Sequence, residues 1–170
     1  PKDQNASDKV ELTSNKEMLL EKLASAEEAL ISSEKKFKFL FDYSSDEIFL
    51  ADLNGRFIEV NKRACESLGY TREEMLLMKF ADIKTPKYRH QVIPNIQKII
   101  EFGKLTYETE HLTKTGALVL IEMKSRLINF NNQAAITSVS RNIAERKAME
   151  HKMLSMMIET EEKERKRFAA

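Results

Sequence analysis

The chain has 170 residues, 42% of them apolar and 32% charged, enough for one well-cored domain of about 100–150 residues and something further. The 28 Lys and Arg against 27 Asp and Glu leave a net charge of +1 with the signs intermixed, which excludes a strongly basic nucleic-acid-binding surface as the main activity. One cysteine excludes an intramolecular disulfide framework and a cysteine-rich zinc site, and no apolar run approaches the roughly 20 residues that span a bilayer. The chain opens on Pro1 with no signal-peptide pattern, so it reads as a soluble, cytoplasmic piece of a larger protein, which could itself be membrane-anchored.

All four glycines and the two internal prolines, Pro86 and Pro94, fall between residues 55 and 116. Chain breakers mark turns, so the ends are expected to be uninterrupted helices and the middle a mixed domain. Residues 8–40 predict one helix. Leu12, Leu19, Leu23, Ala26, Leu30, Phe37 and Leu40 recur at alternating gaps of three and four, with Lys16 and Ser33 as polar positions in the stripe. Such spacing favours a two-helix coil, and the alternative is an amphipathic helix packed on its own domain.

The middle changes period. Residues 48–51 and 57–60 flank Asn54-Gly55, a short hairpin signal because both residues tolerate positive φ. Thr71-Arg72-Glu73-Glu74 has capping-box spacing, and Thr85-Pro86 places an N-cap before a proline at the first helical position. The helix that follows presents Val92, Ile96 and Ile99 on one face and is expected to end at Gly103. Pro94 cannot donate to the carbonyl of His90, so a kink or break is predicted. Strands are predicted at 105–113, 117–128 and 134–141, the last after the turn-rich 129–132. Alternation of Val119, Ile121, Met123 and Leu127 with Glu122, Lys124 and Arg126 gives that sheet one buried face. Beyond Ile143 the pattern is helical again. Two strands, short helices and three more strands between long helices make an α+β domain.

These residues resemble a known family. Phe41-Asp42-Tyr43-Ser44-Ser45-Asp46-Glu47-Ile48-Phe49-Leu50-Ala51-Asp52-Leu53-Asn54-Gly55 is similar to the opening of a PAS domain, as are Val60 to Cys65 and Leu68 to Met75. Tyr107-Glu108, Lys114-Thr115-Gly116 and Ile121-Glu122-Met123 resemble the family's last hairpin, and Arg141-Asn142-Ile143-Ala144-Glu145-Arg146-Lys147 its exit motif. The resemblance implies a five-stranded antiparallel sheet in the order 2-1-5-4-3, helices on one face and a cavity between. It divides the chain into an N-terminal signalling helix (1–36), a PAS sensor domain (37–143) and a linker helix (144–170). Arg141, Asn142, Ile143 and Ala144 would form the signal relay. Asn142 stands where the family has Asp and Ala144 where it has Thr, so the ionic exit latch is expected to be weaker, while an amide can still hydrogen-bond and keep the hinge. The run 159–169 resembles the helix that precedes the phosphoacceptor histidine of a two-component histidine kinase. The implied partners are a second copy of the chain, a kinase domain in the same protein and, through it, a response regulator; nucleic acid and membrane are not expected to be contacted. A transcription regulator or cyclase using the module only to dimerise is the alternative.

Chemistry-bearing candidates are few. His90 and His151 read as surface groups, whereas His111 shares a strand face with Tyr107 and Thr109 and lines the cavity if that face points inward. Lys79 occupies the position where light-sensing relatives carry their flavin-reactive cysteine, and Cys65 reads as a packed side chain. No cofactor is therefore expected, haem and flavin included. No nucleophile triad, acid–base pair, phosphate loop or metal cluster is present in the pattern, so the chain is expected to be non-catalytic. The candidate ligand-binding wall comprises Met75, Met78, Ile83, Val92, Ile96, Tyr107, Thr109, His111, Ile121, Met123 and Ser125, with a self-filled core as the alternative. Dimer contacts are expected from Leu19, Leu23, Ala26, Leu30, Phe37 and Leu40. In the trailing helix Ile143, Lys147, Glu150, Leu154, Met157, Glu161, Glu164 and Phe168 keep the 4-3 spacing, with Leu154 and Met157 as the apolar contacts.

Overall fold

The computed structural model describes residues 2–168, with side chains from residue 14 onward. The side chain of Leu12 in the helical stripe and Ala169 of the C-terminal run lie outside what is described. The chain forms two compact units that divide between Asp42 and Tyr43. The first is a single helix, α1 (Lys2–Asp42), which runs unbroken past residue 36.

The second unit carries β1 (Glu47–Ala51), β2 (Phe57–Val60), α2 (Lys62–Leu68), α3 (Arg72–Leu76), a 3-10 turn (Phe80–Ile83), α4 (Pro86–Arg89) and α5 (Val92–Phe102). Then come β3 (Lys104–Leu112), β4 (Leu118–Phe130), β5 (Gln133–Asn142) and α6 (Ala144–Phe168). The five strands form one antiparallel sheet in the order β2-β1-β5-β4-β3, so the last strand lies in the middle beside the first.

Local chemistry explains most boundaries. In the β1–β2 turn the Asp52 carboxylate accepts the N–H groups of Asn54 (2.8 Å) and Arg56 (2.9 Å). Only Gly55 takes a positive φ there, at 78°, and a Cβ on it would stand 3.2 Å from Ile96 Cδ1. The β4–β5 turn is tighter than the run 129–132 suggests. Asn131 (φ 51°) and Asn132 (φ 60°) alone form it, with Phe130 paired to Gln133, because both central residues of such a turn must be left-handed. Both arms of the Thr71–Glu74 capping box are made. Thr85 occupies the N-cap position of α4, but its hydroxyl donates to Glu110 Oε2 (3.2 Å) instead of capping the helix. The expected break falls before Pro94, at His90 and Gln91. Pro94 thus lies in the first turn of α5, where its missing N–H costs nothing.

The core lies between the inner sheet face and α2, α3, α5 and the 3-10 turn. Phe49, Phe57 and Phe80 meet at centroid distances of 5.5, 5.6 and 4.7 Å. Around them pack Leu68, Met75, Ile83, Ile99, Ile121, Met123 and Ile136, all buried.

Candidate functional site

Paired strand positions share a face, so the inner surface of the sheet is built in rungs. Phe49, Ser138, Ser125 and Leu105 form one rung, and Glu47, Ser140, Met123 and Tyr107 the next. Ser125 and Ser138 hydroxyls share a buried hydrogen bond of 2.8 Å, and the Tyr107 hydroxyl donates to Met123 Sδ at 3.0 Å. Burial pushes the Tyr107 phenol up to about 12. All eleven candidate wall residues come together. Met75, Ile83, Val92, Ile96, Thr109, His111, Ile121, Met123 and Ser125 are buried, and Met78 and Tyr107 pack against them. His90 is exposed at the end of α4, away from that wall.

A polar cluster that the sequence reading did not assemble sits at one end of this face. Glu47 opens β1, and His111 reaches it from β3, with Nδ1 3.3 Å from Glu47 Oε2. The Ser67 hydroxyl of α2 donates to Glu47 Oε1. Lys84, just after the 3-10 turn, forms an isolated antiparallel bridge with His111, and both are buried, at 2% and 0% exposure. Burial pushes the Lys84 amine down to about 7, against the pull of Glu47. Burial, with help from Lys84, lowers His111 to about 4. Burial alone would raise Glu47, but His111, Ser67 and Ser140 together hold it below the usual carboxylate range. A signal for Glu47 existed: it shares strand parity with Phe49 and Ala51, which face inward. None existed for Lys84, because only tertiary pairing turns it toward His111.

Glu47's neighbour in its rung leads to the exit hinge. Ser140 lies opposite Glu47, and the next residue, Arg141, grips Asp46 through two hydrogen bonds of 3.1 and 2.7 Å. Asn142 Oδ1 accepts the N–H of Ala144 (2.9 Å), so the amide still bonds at the start of α6 where a weakened ionic latch was expected. Ile143 is the sole residue between β5 and α6. It is 2% exposed, and its N–H donates to the carbonyl of Leu120 (3.0 Å). Its place in the core removes Ile143 from the expected helical seam. Lys147 is bound to Glu108 at 2.9 Å, while Arg146 reaches Glu108 and Glu122. Farther along α6, Leu154 and Met157 are exposed, and exposed Met149, Met153, Met156 and Ile158 widen the apolar face. On α1, Leu19, Leu23, Ala26, Leu30, Phe37 and Leu40 are likewise exposed. Among the described residues no helix is long and apolar enough to cross a membrane, and no group of His, Cys, Asp and Glu could hold a metal ion.

Comparison with known proteins places this geometry. A family model described as PAS domain matches residues 45–145. The methyl sulfide methyltransferase-associated sensor of Methanosarcina acetivorans is 35% identical over 126 residues, covering 74% of this chain and 13% of that protein. Sporulation kinase E of Bacillus subtilis is 26% identical over 76% of this chain and 17% of its own length. A probable diguanylate cyclase, DgcE of Escherichia coli, is 26% identical over 51% of this chain and 8% of its own length. The chain therefore spans a small fraction of the curated relatives it matches. In structure it is similar to the PAS domain of an HTR-like protein from Haloarcula marismortui, with a TM-score of 0.66 and 22% identity, covering 71% of this chain and 99% of that one.

Proposed function

The chain belongs to the PAS domain family, and we propose that it is the sensory module of a larger, cytoplasmically located histidine kinase. It detects a small ligand or partner through its interior wall and passes the result along dimeric flanking helices to the kinase. One observation carries this reading: β5 joins α6 through a single residue, Ile143, which is anchored in the core at both its side chain and its N–H. A shift of the sheet must therefore move the helix start, since there is no slack to absorb it. Coupling of ~1–3 kcal/mol between interior and helix changes output about 5–150-fold. The similarity to sporulation kinase E and the exposed apolar faces of α1 and α6 support the kinase and homodimer parts. The module carries no catalysis and no haem or flavin of its own. Purified protein should be colourless above 320 nm.

The test is disulfide crosslinking in the full-length parent. Leu154→Cys and Met157→Cys, in a Cys65→Ser background, should crosslink between copies with yields that differ between active and inactive kinase. Identical yields in both states would sink the relay. The similarity to a cyclase favours a second reading, a dimerising module that serves another output. Crosslinks that form yet never change with output would favour it.

A further inference from the structure

At the Glu47–His111–Lys84 cluster five buried atoms lack a hydrogen-bond partner among the described residues: Glu47 Oε2, His111 Nδ1 and Nε2, Lys84 Nζ and Ser140 Oγ. An ionised carboxylate only accepts hydrogen bonds, so the proton of the neutral His111 ring sits on Nδ1, facing Glu47 Oε2 at 3.3 Å. That leaves Nε2 as a bare lone pair. His111 Nε2 and Lys84 Nζ are both buried and find no hydrogen-bond partner among the described residues. Their bridge pairing sends both side chains to the same inward side. The interior thus holds an unsatisfied donor and an unsatisfied acceptor on paired positions, and buried polar groups are rarely left so.

The chemistry that satisfies both is narrow. A carboxylate could accept from Lys84 but has no proton for Nε2. An ammonium could donate to Nε2 but would repel Lys84. One hydroxyl does both: its oxygen accepts from Nζ and its proton goes to Nε2. We propose that Lys84 and His111 form a subsite for the hydroxyl group of a small neutral alcohol, whose apolar body lies beside Phe49 and Met123. Phe49 packs edge-on to the His111 ring at 5.8 Å, and Met123 lies across β5 from Glu47 in the same rung. The Met123 thioether is flexible enough to yield space to such a body. Ser140, between Glu47 and Met123, stands two residues before Asn142, so occupancy reaches the strand that ends at the exit hinge. The inference deepens the small-ligand reading and rests on it.

A single water has the same hydroxyl chemistry, and the experiment separates the two sources. The full chain, labelled with ¹⁵N-histidine, is titrated with cyclohexanol and with chlorocyclohexane, which matches its shape without a donor. Cyclohexanol should bind saturably, at least tenfold tighter than chlorocyclohexane, and shift the His111 Nε2 signal. Lys84→Met should cut cyclohexanol affinity about tenfold and abolish the preference, with far-UV circular dichroism checking that it folds. The His111 shift in the unaltered chain gives an answer even if that variant does not fold. Equal binding of both probes, unmoved by Lys84→Met, would overturn the subsite while leaving an interior ligand site intact. Binding of neither would overturn the subsite and the small-ligand reading together, with water as the occupant.

Discussion

Asn61 is fully buried and uses its side chain in three directions. Its Oδ1 accepts the N–H groups of Ile48 (2.9 Å) and Ala64 (3.0 Å), and its Nδ2 donates to the carbonyl of Asp46 (3.0 Å). It caps α2 and pins β1 next to both Asp46 and Glu47. Asn61→Ala loses the cap and strands buried backbone groups, and should cost about 3 kcal/mol in urea denaturation. The Glu47 cluster gives the protein a pH dependence with a definite sign. Lys84 and His111 have folded-state values below their unfolded ones, so the unfolded chain binds more protons and stability rises with pH. Lys84 acts between about 7 and 10.5, and His111 between about 4 and 6.5. Glu47, also lowered, loses its contribution as pH falls through the acid range. Chemical denaturation should therefore show stability climbing from pH 7 to pH 10, and Lys84→Met should flatten that limb. A slope unchanged in the variant would mean that Lys84 stays solvated.

At the scale of elements, the β5–α6 junction is held by parts of unequal strength. The Arg141–Asp46 pair is bidentate, and its hydrogen bonds are the main reason the Asp46 carboxyl lies below its ordinary value. Its Arg141 side is two-thirds exposed, so solvent and salt screen it. Arg141→Ala should cost little and less still in 0.5 M salt, whereas Ile143→Ala empties a core position and should cost about 3 kcal/mol. Denaturation at two salt concentrations separates them. Legibility followed the same divide. The β3–β4–β5 strands were readable because period two stamps a buried face on the sequence. The role of Asn142 was readable in part, because an amide can hydrogen-bond in place of a carboxylate, but only the fold puts its Oδ1 on the N–H of Ala144. The break ahead of α5 was expected from Pro94, yet its position was set by which turn could omit a donor.

Considered whole, the molecule joins a sheet domain with a packed core to two helices whose described side chains are almost all exposed. In α6 no residue is buried, although Met149, Met153, Leu154, Met156, Met157 and Ile158 are apolar. Isolated helices are marginal in water, so such a face needs a partner for stability. Helical circular dichroism should fall on dilution or gentle heating before the core melts, and the midpoint of that first transition should rise with protein concentration. Leu154→Glu with Met157→Glu should abolish this concentration dependence while leaving the core transition in place.

The sequence by itself determined the order of strands and helices, the turns at Gly55 and Gly103, the inward face of β4 and the family. Each of these is local, carried by periodicity or by a backbone conformation that few residues accept. Only the tertiary structure decided that Glu47, Lys84 and His111 meet in the interior, that Ile143 belongs to the core and not to a helical seam, and that Arg141 finds Asp46. The reason is separation: those partners lie 27 to 95 residues apart along the chain, and no short-range pattern records which buried polar groups the folded sheet will bring face to face.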